Sequence, residues 1–275
     1  MKYTTLRTTI PAQGGSMKLL ILRPEEPAPE SGRPGVLWIH GGGYITGMAG
    51  MVYMSRALNL VRRYGAVVVS PEYRLAGQAP YPAALLDCHS ALVYLKEHAG
   101  ELGVRSDQLM VGGESAGGGL AAALCLYERD KGGVKIAFQM PLYPMLDNED
   151  TETSRDNHAP VWNTRRNHAA WARYLRGVDG AVPAYAAPAR AEDCAGLPPA
   201  YTFVSTAEPF YAETLADVQR VRDAGVEASA DVYEGLFHAF DMLAPFLPVS
   251  QRAAAAFEGQ FEYAVRHYFA RQDDE

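Results

Sequence analysis

Leu109-Met110-Val111, then Gly113-Glu114-Ser115-Ala116-Gly117, is the stretch on which the fold turns. An apolar run is followed by a serine between two glycines, and then by a helix-forming stretch from Ala116 to Tyr127. That is the order strand, tight turn, helix. A serine on such a turn takes strained backbone angles while neighbours crowd it from both sides. Only residues without a bulky Cβ therefore fit two positions away. The turn lifts the Ser115 hydroxyl above the strand end, where it can act as a nucleophile. In a chain with 26 glycines a single match of this kind can also be a plain turn, so the reading depends on its surroundings.

His40-Gly41-Gly42-Gly43-Tyr44 is the second marker, because it follows Val36-Leu37-Trp38-Ile39 and so ends another predicted strand. Successive glycines bare their backbone N–H groups. Acyl transfer passes through an intermediate whose oxygen carries negative charge, and donors must stand at that oxygen before the reaction begins. A glycine loop of this type works together with the N–H of the residue after the nucleophile, here Ala116. A phosphate cradle is disfavoured. No Lys-Ser/Thr follows, and Thr46 stands where a dinucleotide loop would need its third glycine.

A general base for Ser115 is expected C-terminal to it, since the chain order in such sheets is nucleophile, acid, base. His158, His168, His238 and His267 are available. The first two fall in a polar, Trp-bearing insert and the last in an amphipathic terminal helix. His238 follows the alternating stretch Ala228 to Tyr233 and the turn Glu234-Gly235, which puts it beyond a strand's carboxyl end, where ligand sites of open α/β sheets collect. The acid is expected after the strand Ala200 to Ser205. Glu208 is the first carboxylate there, and Pro209 suits the first helical turn that follows. A carboxylate in that place can also serve only the helix dipole, and Glu213 and Asp217 remain as alternative acids.

These motifs together resemble the hormone-sensitive-lipase-like branch of the α/β-hydrolases, carboxylesterases with an HGGG oxyanion loop. The resemblance runs from about Gly35 to the C-terminus. It includes Pro71-Glu72-Tyr73-Arg74-Leu75-Ala76, Tyr81-Pro82-Ala83-Ala84-Leu85, Leu197-Pro198-Pro199-Ala200 and Tyr233-Glu234-Gly235-Leu236-Phe237-His238-Ala239-Phe240. It implies Ser115 as nucleophile, His238 as base, Glu208 as acid, and Gly42, Gly43 and Ala116 as oxyanion donors. Where the family usually has Asp-Pro-Leu, this chain has Glu208-Pro209-Phe210. Because only 39 residues precede His40, the N-terminal helices that form half of the family's lid are expected to be missing.

Eight strands are expected, near Tyr3 to Ile10, Met17 to Arg23, Gly35 to Ile39, Ala66 to Ser70, Gln108 to Val111, Lys135 to Met140, Ala200 to Ser205 and Ala228 to Tyr233. Helical patterns lie at Met51 to Tyr64, Tyr81 to Ala99, Ser115 to Arg129, Pro209 to Ala224 and Ser250 to Ala270. The alternation implies one α/β-hydrolase domain over residues 1–275, with a mostly parallel eight-stranded sheet covered on both faces. The first two strands read as a hairpin through Gly14-Gly15. Residues 147–187 interrupt the alternation and read as a helical lid. In it Trp162 and Trp171, with Tyr44 and Phe210 of the body, are candidate walls of a substrate pocket, although aromatics of this kind equally bury an insert against a core.

The chain has 48% hydrophobic residues and no apolar run of the length a membrane span needs. Its start has no secretory h-region, so a cytoplasmic protein is expected. Three cysteines without a close pair argue against a disulfide framework or a metal site. A net charge of -7 disfavours nucleic acid as a partner. The expectation is a cofactor-free serine carboxylesterase acting on short-chain, for example acetyl, esters of small soluble alcohols, with a homo-oligomer as one way to complete the mouth. An amidase or peptidase on the same fold, or a non-catalytic ligand-binding relative, are the competing readings.

Overall fold

The strands are β1 (Tyr3–Ala12), β2 (Gly15–Pro24), β3 (Arg33–Ile39), β4 (Val67–Pro71), β5 (Val104–Glu114), β6 (Phe138–Leu142), β7 (Ala200–Ser205) and β8 (Ala228–Tyr233) in a computed structural model that describes residues 1–273. They form one sheet in the order β1-β2-β4-β3-β5-β6-β7-β8. The β2 strand is antiparallel to both β1 and β4, and every pairing beyond β4 is parallel. From β3 the chain steps to one side for β4 and returns to the other side for β5. The order therefore reverses between β3 and β5, and a crevice opens at their carboxyl ends. That reversal sets the His40–Gly43 loop beside the Ser115 turn.

The strand pattern sorts two cores by the period of two. Leu37, Ile39, Val67, Val69, Leu109 and Val111 face one layer, while Val36, Trp38, Val68 and Met110 face the other. The first layer is covered by α2 (Ala83–Glu97), α4 (Ala116–Lys131), α5 (Thr164–Tyr174) and α6 (Tyr211–Asp223), with the short α3 (Ala99–Leu102) closing its base. The second is covered by α1 (Ala57–Tyr64), α7 (Phe240–Leu243) and α8 (Pro248–His267). All three cysteines are free and buried. No helix among the described residues is long and apolar enough to cross a membrane.

Several boundaries differ from the expectation, each for a local reason. The helix expected from Met51 is interrupted at Ser55, which is extended. Its hydroxyl donates to the Val52 carbonyl and accepts from the Ala57 N–H, so a 3-10 turn (Ala49–Met54) precedes α1. The β6 strand begins at Phe138 rather than Lys135, because side chains capture the preceding amides. Glu128 takes the Val134 N–H and Gln272 takes that of Lys135. The segment 147–187 holds a single α-helix, α5, capped by the Asn163 side chain on the Arg166 N–H. The rest of that segment is loop, tied by hydroxyl and amide side chains such as Thr164, whose Oγ1 bonds the Ser154 carbonyl at 2.5 Å and accepts from the Asn157 N–H.

Candidate active site

Ser115 has φ 58° and ψ -120°, the strained geometry expected of a serine on this turn. Sheet pairing holds the turn in place: its N–H donates to the Leu142 carbonyl, and its own carbonyl accepts from Gly119 and Met145. The small residues that open α4 are explained by contact. A Cβ on Gly117 would stand 2.1 Å from the Ile39 carbonyl oxygen and 2.6 Å from that of His40. A Cβ on Gly119 would stand 2.1 Å from the Met145 carbonyl oxygen. The helix can start here only because these side chains are absent, and its N-terminus lies against the glycine loop as a result.

On the other side of the crevice, Gly42 and Gly43 have φ 119° and 61°. The Gly42 carbonyl is bound by the N–H groups of Ile45 and Thr46. Among the described residues, neither the Gly42 nor the Gly43 N–H meets a protein acceptor. His40 is buried beneath the loop, with its ring stacked on Tyr73 at 4.2 Å, and burial pushes its pKa down.

The His238 loop is fastened by the end of β7. The Leu236 N–H donates to Ser205 Oγ and the Gly235 N–H to Thr206 Oγ1. This brings His238 Nε2 to 2.8 Å from Ser115 Oγ, while His238 Nδ1 bonds Glu208 Oε2. The other Glu208 oxygen accepts the Ser205 N–H at 2.8 Å, which orients the carboxylate. Ser115, His238 and Glu208 are 6%, 3% and 0% exposed. The two alternative acids are engaged elsewhere: Glu213 accepts the Leu146 N–H and Asp217 bonds Arg220.

A family model described as alpha/beta hydrolase fold matches residues 36–242. The chain belongs to that family. The esterase LipI of Mycobacterium tuberculosis is 33% identical over 228 residues, which cover 80% of this chain and 69% of LipI. Carboxylesterase NlhH of the same organism is 31% identical over 227 residues, covering 80% and 70%. Among solved structures, a bacterial heroin esterase superposes with a TM-score of 0.87 at 34% identity, covering 92% of this chain and 82% of its own.

Within this α/β-hydrolase, the four aromatic residues proposed for the pocket divide into two pairs. Rings packed against the His238 imidazole are those of Phe210, with centroids 5.2 Å apart, Trp162 at 6.3 Å, and Tyr143 at 5.1 Å. Trp162 also lies on Gly43, where a Cβ would come within 2.2 Å of its ring. Tyr44 and Trp171 belong to the core instead. Tyr44 is 1% exposed, spends its hydroxyl on the Met145 carbonyl, stacks on Tyr174 at 4.0 Å and meets Trp171 at 5.5 Å. The reason is geometric: φ 62° at Tyr44 turns its side chain down beneath the loop, where α5 supplies the partner rings. A further group went unread in the sequence: Trp38, Arg56, Glu114, Tyr143 and Asp241 lie buried behind the serine and histidine. Only the placement of Glu114 and Asp241 beside the two motifs hinted at it.

Proposed function

We propose that this chain is a carboxylesterase that hydrolyses short-chain acyl esters of small alcohols through an acyl-enzyme, with Ser115 as nucleophile, His238 as general base and Glu208 as the orienting acid. The reading is carried by the continuous hydrogen-bonded line from Ser115 Oγ through His238 to Glu208. The esterase relatives and the family match support the reaction class.

His238 Nε2 takes the hydroxyl proton as Ser115 Oγ attacks the ester carbonyl, and Glu208 stabilises the imidazolium and fixes its tautomer. The carbonyl oxygen, now negative, is held by the N–H groups of Gly42, Gly43 and Ala116, which need no reorganisation because the glycine turn and the helix start are already built. His238 returns the proton to the departing alcohol. Water then attacks the acyl group by the same route, releasing the acid and restoring Ser115.

Residues 147–187 act as the lid of the single domain, and Trp162 and Phe210 as the wall nearest the reacting carbon. Their closeness to His238 and Gly43 favours a small acyl group. Ser115→Ala tests the reading. With p-nitrophenyl acetate as substrate, kcat falls by about 10^6-fold and circular dichroism is unchanged. A variant that keeps a tenth of wild-type activity refutes Ser115 as nucleophile.

A further inference from the structure

Two carboxylates outside the catalytic line are buried directly behind it. Glu114 immediately precedes Ser115 at the end of β5, and Asp241 lies three residues past His238 in α7. Arg56, at the entry to α1, is also buried, and its Nε lies 3.0 Å from Asp241 Oδ2. Its Nη2 donates to the Asp241 carbonyl at 3.0 Å. Glu114 has a neutral donor, the Trp38 indole N–H, at 2.8 Å from Oε2. Its Oε1 is buried with no hydrogen-bond partner among the described residues.

The charge count is uneven. One guanidinium faces two carboxyl groups in a space closed to water, and a second buried anion would have no cation to offset its desolvation. Two carboxyl groups sharing such a site do not both ionise. The direct contact of Arg56 with Asp241 settles which one is charged, and leaves the proton on Glu114. Burial pushes the Glu114 carboxyl up to about 8, and the charge of Asp241 adds to this, while Trp38 and Arg56 oppose it. Asp241 is also raised by burial, with Arg56 and Tyr143 opposing, so the pair titrates as one unit. The other titratable groups facing the pair are the Tyr143 and Tyr233 phenols, and burial pushes both of these up.

We propose that Glu114 is a positioning residue for the esterase reaction: held neutral beside the Arg56–Asp241 ion pair, it fastens the Ser115 turn to Trp38 of β3, and its ionisation sets a second negative charge against Asp241 behind the His238 loop. The route to the base is short. Tyr143 has its hydroxyl beside Asp241, and its ring edge meets the His238 ring at 5.1 Å. A second negative charge at Glu114 repels Asp241 and strains the two backbone segments that set the distance from Ser115 Oγ to His238 Nε2. The Gln side chain keeps an acceptor for Trp38 and cannot ionise.

The proposal rests on Ser115 and His238 being the reacting pair, which Ser115→Ala tests separately. An inactive S115A with a failed outcome below sinks the positioning role alone. In the wild type, kcat for p-nitrophenyl acetate falls as pH climbs past about 8 while KM changes by less than about twofold, and E114Q holds its kcat plateau at least about one pH unit further. At pH 7, E114A loses kcat about tenfold and E114Q recovers most of it. An alkaline fall at the same pH in wild type and E114Q overturns the proposal, and so does a wild type without one.

Thermal unfolding checks the proton itself and needs no substrate. The unfolded carboxyl ionises near its ordinary value of 4.5 and the folded one near 8, so the folded chain holds the extra proton between these values. Wild-type stability from this group is present below pH 4.5 and lost as pH rises through 8. The Tm of E114Q therefore gains on that of the wild type from pH 5 to 8. A constant Tm difference across that range overturns the assignment.

Discussion

The start of α4 and the segment 147–187 face the same crevice and are held there by different means. At the start of α4 the fit is backbone against backbone. Gly117 lies under the Ile39 and His40 carbonyls, and Gly119 under that of Met145, at distances that admit no Cβ. Ahead of α5 the segment is fastened to the body by side chains, among them Asn157 on Ala207 and Thr153 on Pro209. Trp162, its nearest ring to His238, is only half-buried. Backbone contacts of the first kind have no rotamers with which to adjust, so the serine is fixed as rigidly as the sheet. A segment held by separate side-chain bonds can yield one bond at a time, which suits the part of a site through which a substrate must pass.

Substitutions on each side sharpen this contrast. Glu208→Ala removes the partner of the His238 tautomer without touching the α4 start, and lowers kcat by about 10^3 to 10^4-fold. A rate within tenfold of wild type moves the orienting role to Glu213 or Asp217, against the hydrogen bonds that engage those groups elsewhere. Gly117→Ala acts on stability. Displacing the Ile39 carbonyl from the sheet costs about 3 kcal/mol, and a scanning melt shows a Tm lower by roughly 6 °C or more. An unchanged Tm shows that the helix start can shift, and the contrast with the segment disappears. Trp162→Ala, the mildest of the three, changes kcat/KM for p-nitrophenyl acetate by less than about tenfold and raises the relative rate on longer acyl chains. An unaltered chain-length profile removes Trp162 from the pocket wall.

Much of the site was legible because its chemistry is tied to local backbone. A serine on a strained turn needs small neighbours, and an oxyanion loop needs bare amides, so Gly113 to Gly119 and His40 to Gly43 are visible as strings of letters. His238 and Glu208 could be chosen by their place after strands β8 and β7, since a strand end is where a side chain can reach the crevice. The aromatic residues were less legible. Tyr44 and Phe210 both adjoin a motif, yet one turns into the core and the other onto the imidazole, and a backbone angle decides which. The break at Ser55 and the late start of β6 escaped for a related reason. Each follows from a hydroxyl or amide side chain competing for backbone N–H groups, which periodicity does not register.

Sequence alone determined the class of sheet and singled out the Ser115 turn, the His238 loop and the glycine loop as one candidate site, because each is written in neighbouring residues whose conformational needs are strict. Tertiary structure alone decided that Glu208 and not Glu213 meets the histidine, that Trp162 and not Trp171 lies over Gly43, and that Asp241 pairs with Arg56 close to the buried Glu114. These residues are far apart in the chain. Whether two of them touch depends on strand order and on which way each side chain leaves the backbone, and the energy of a buried charge depends on what stands beside it after folding.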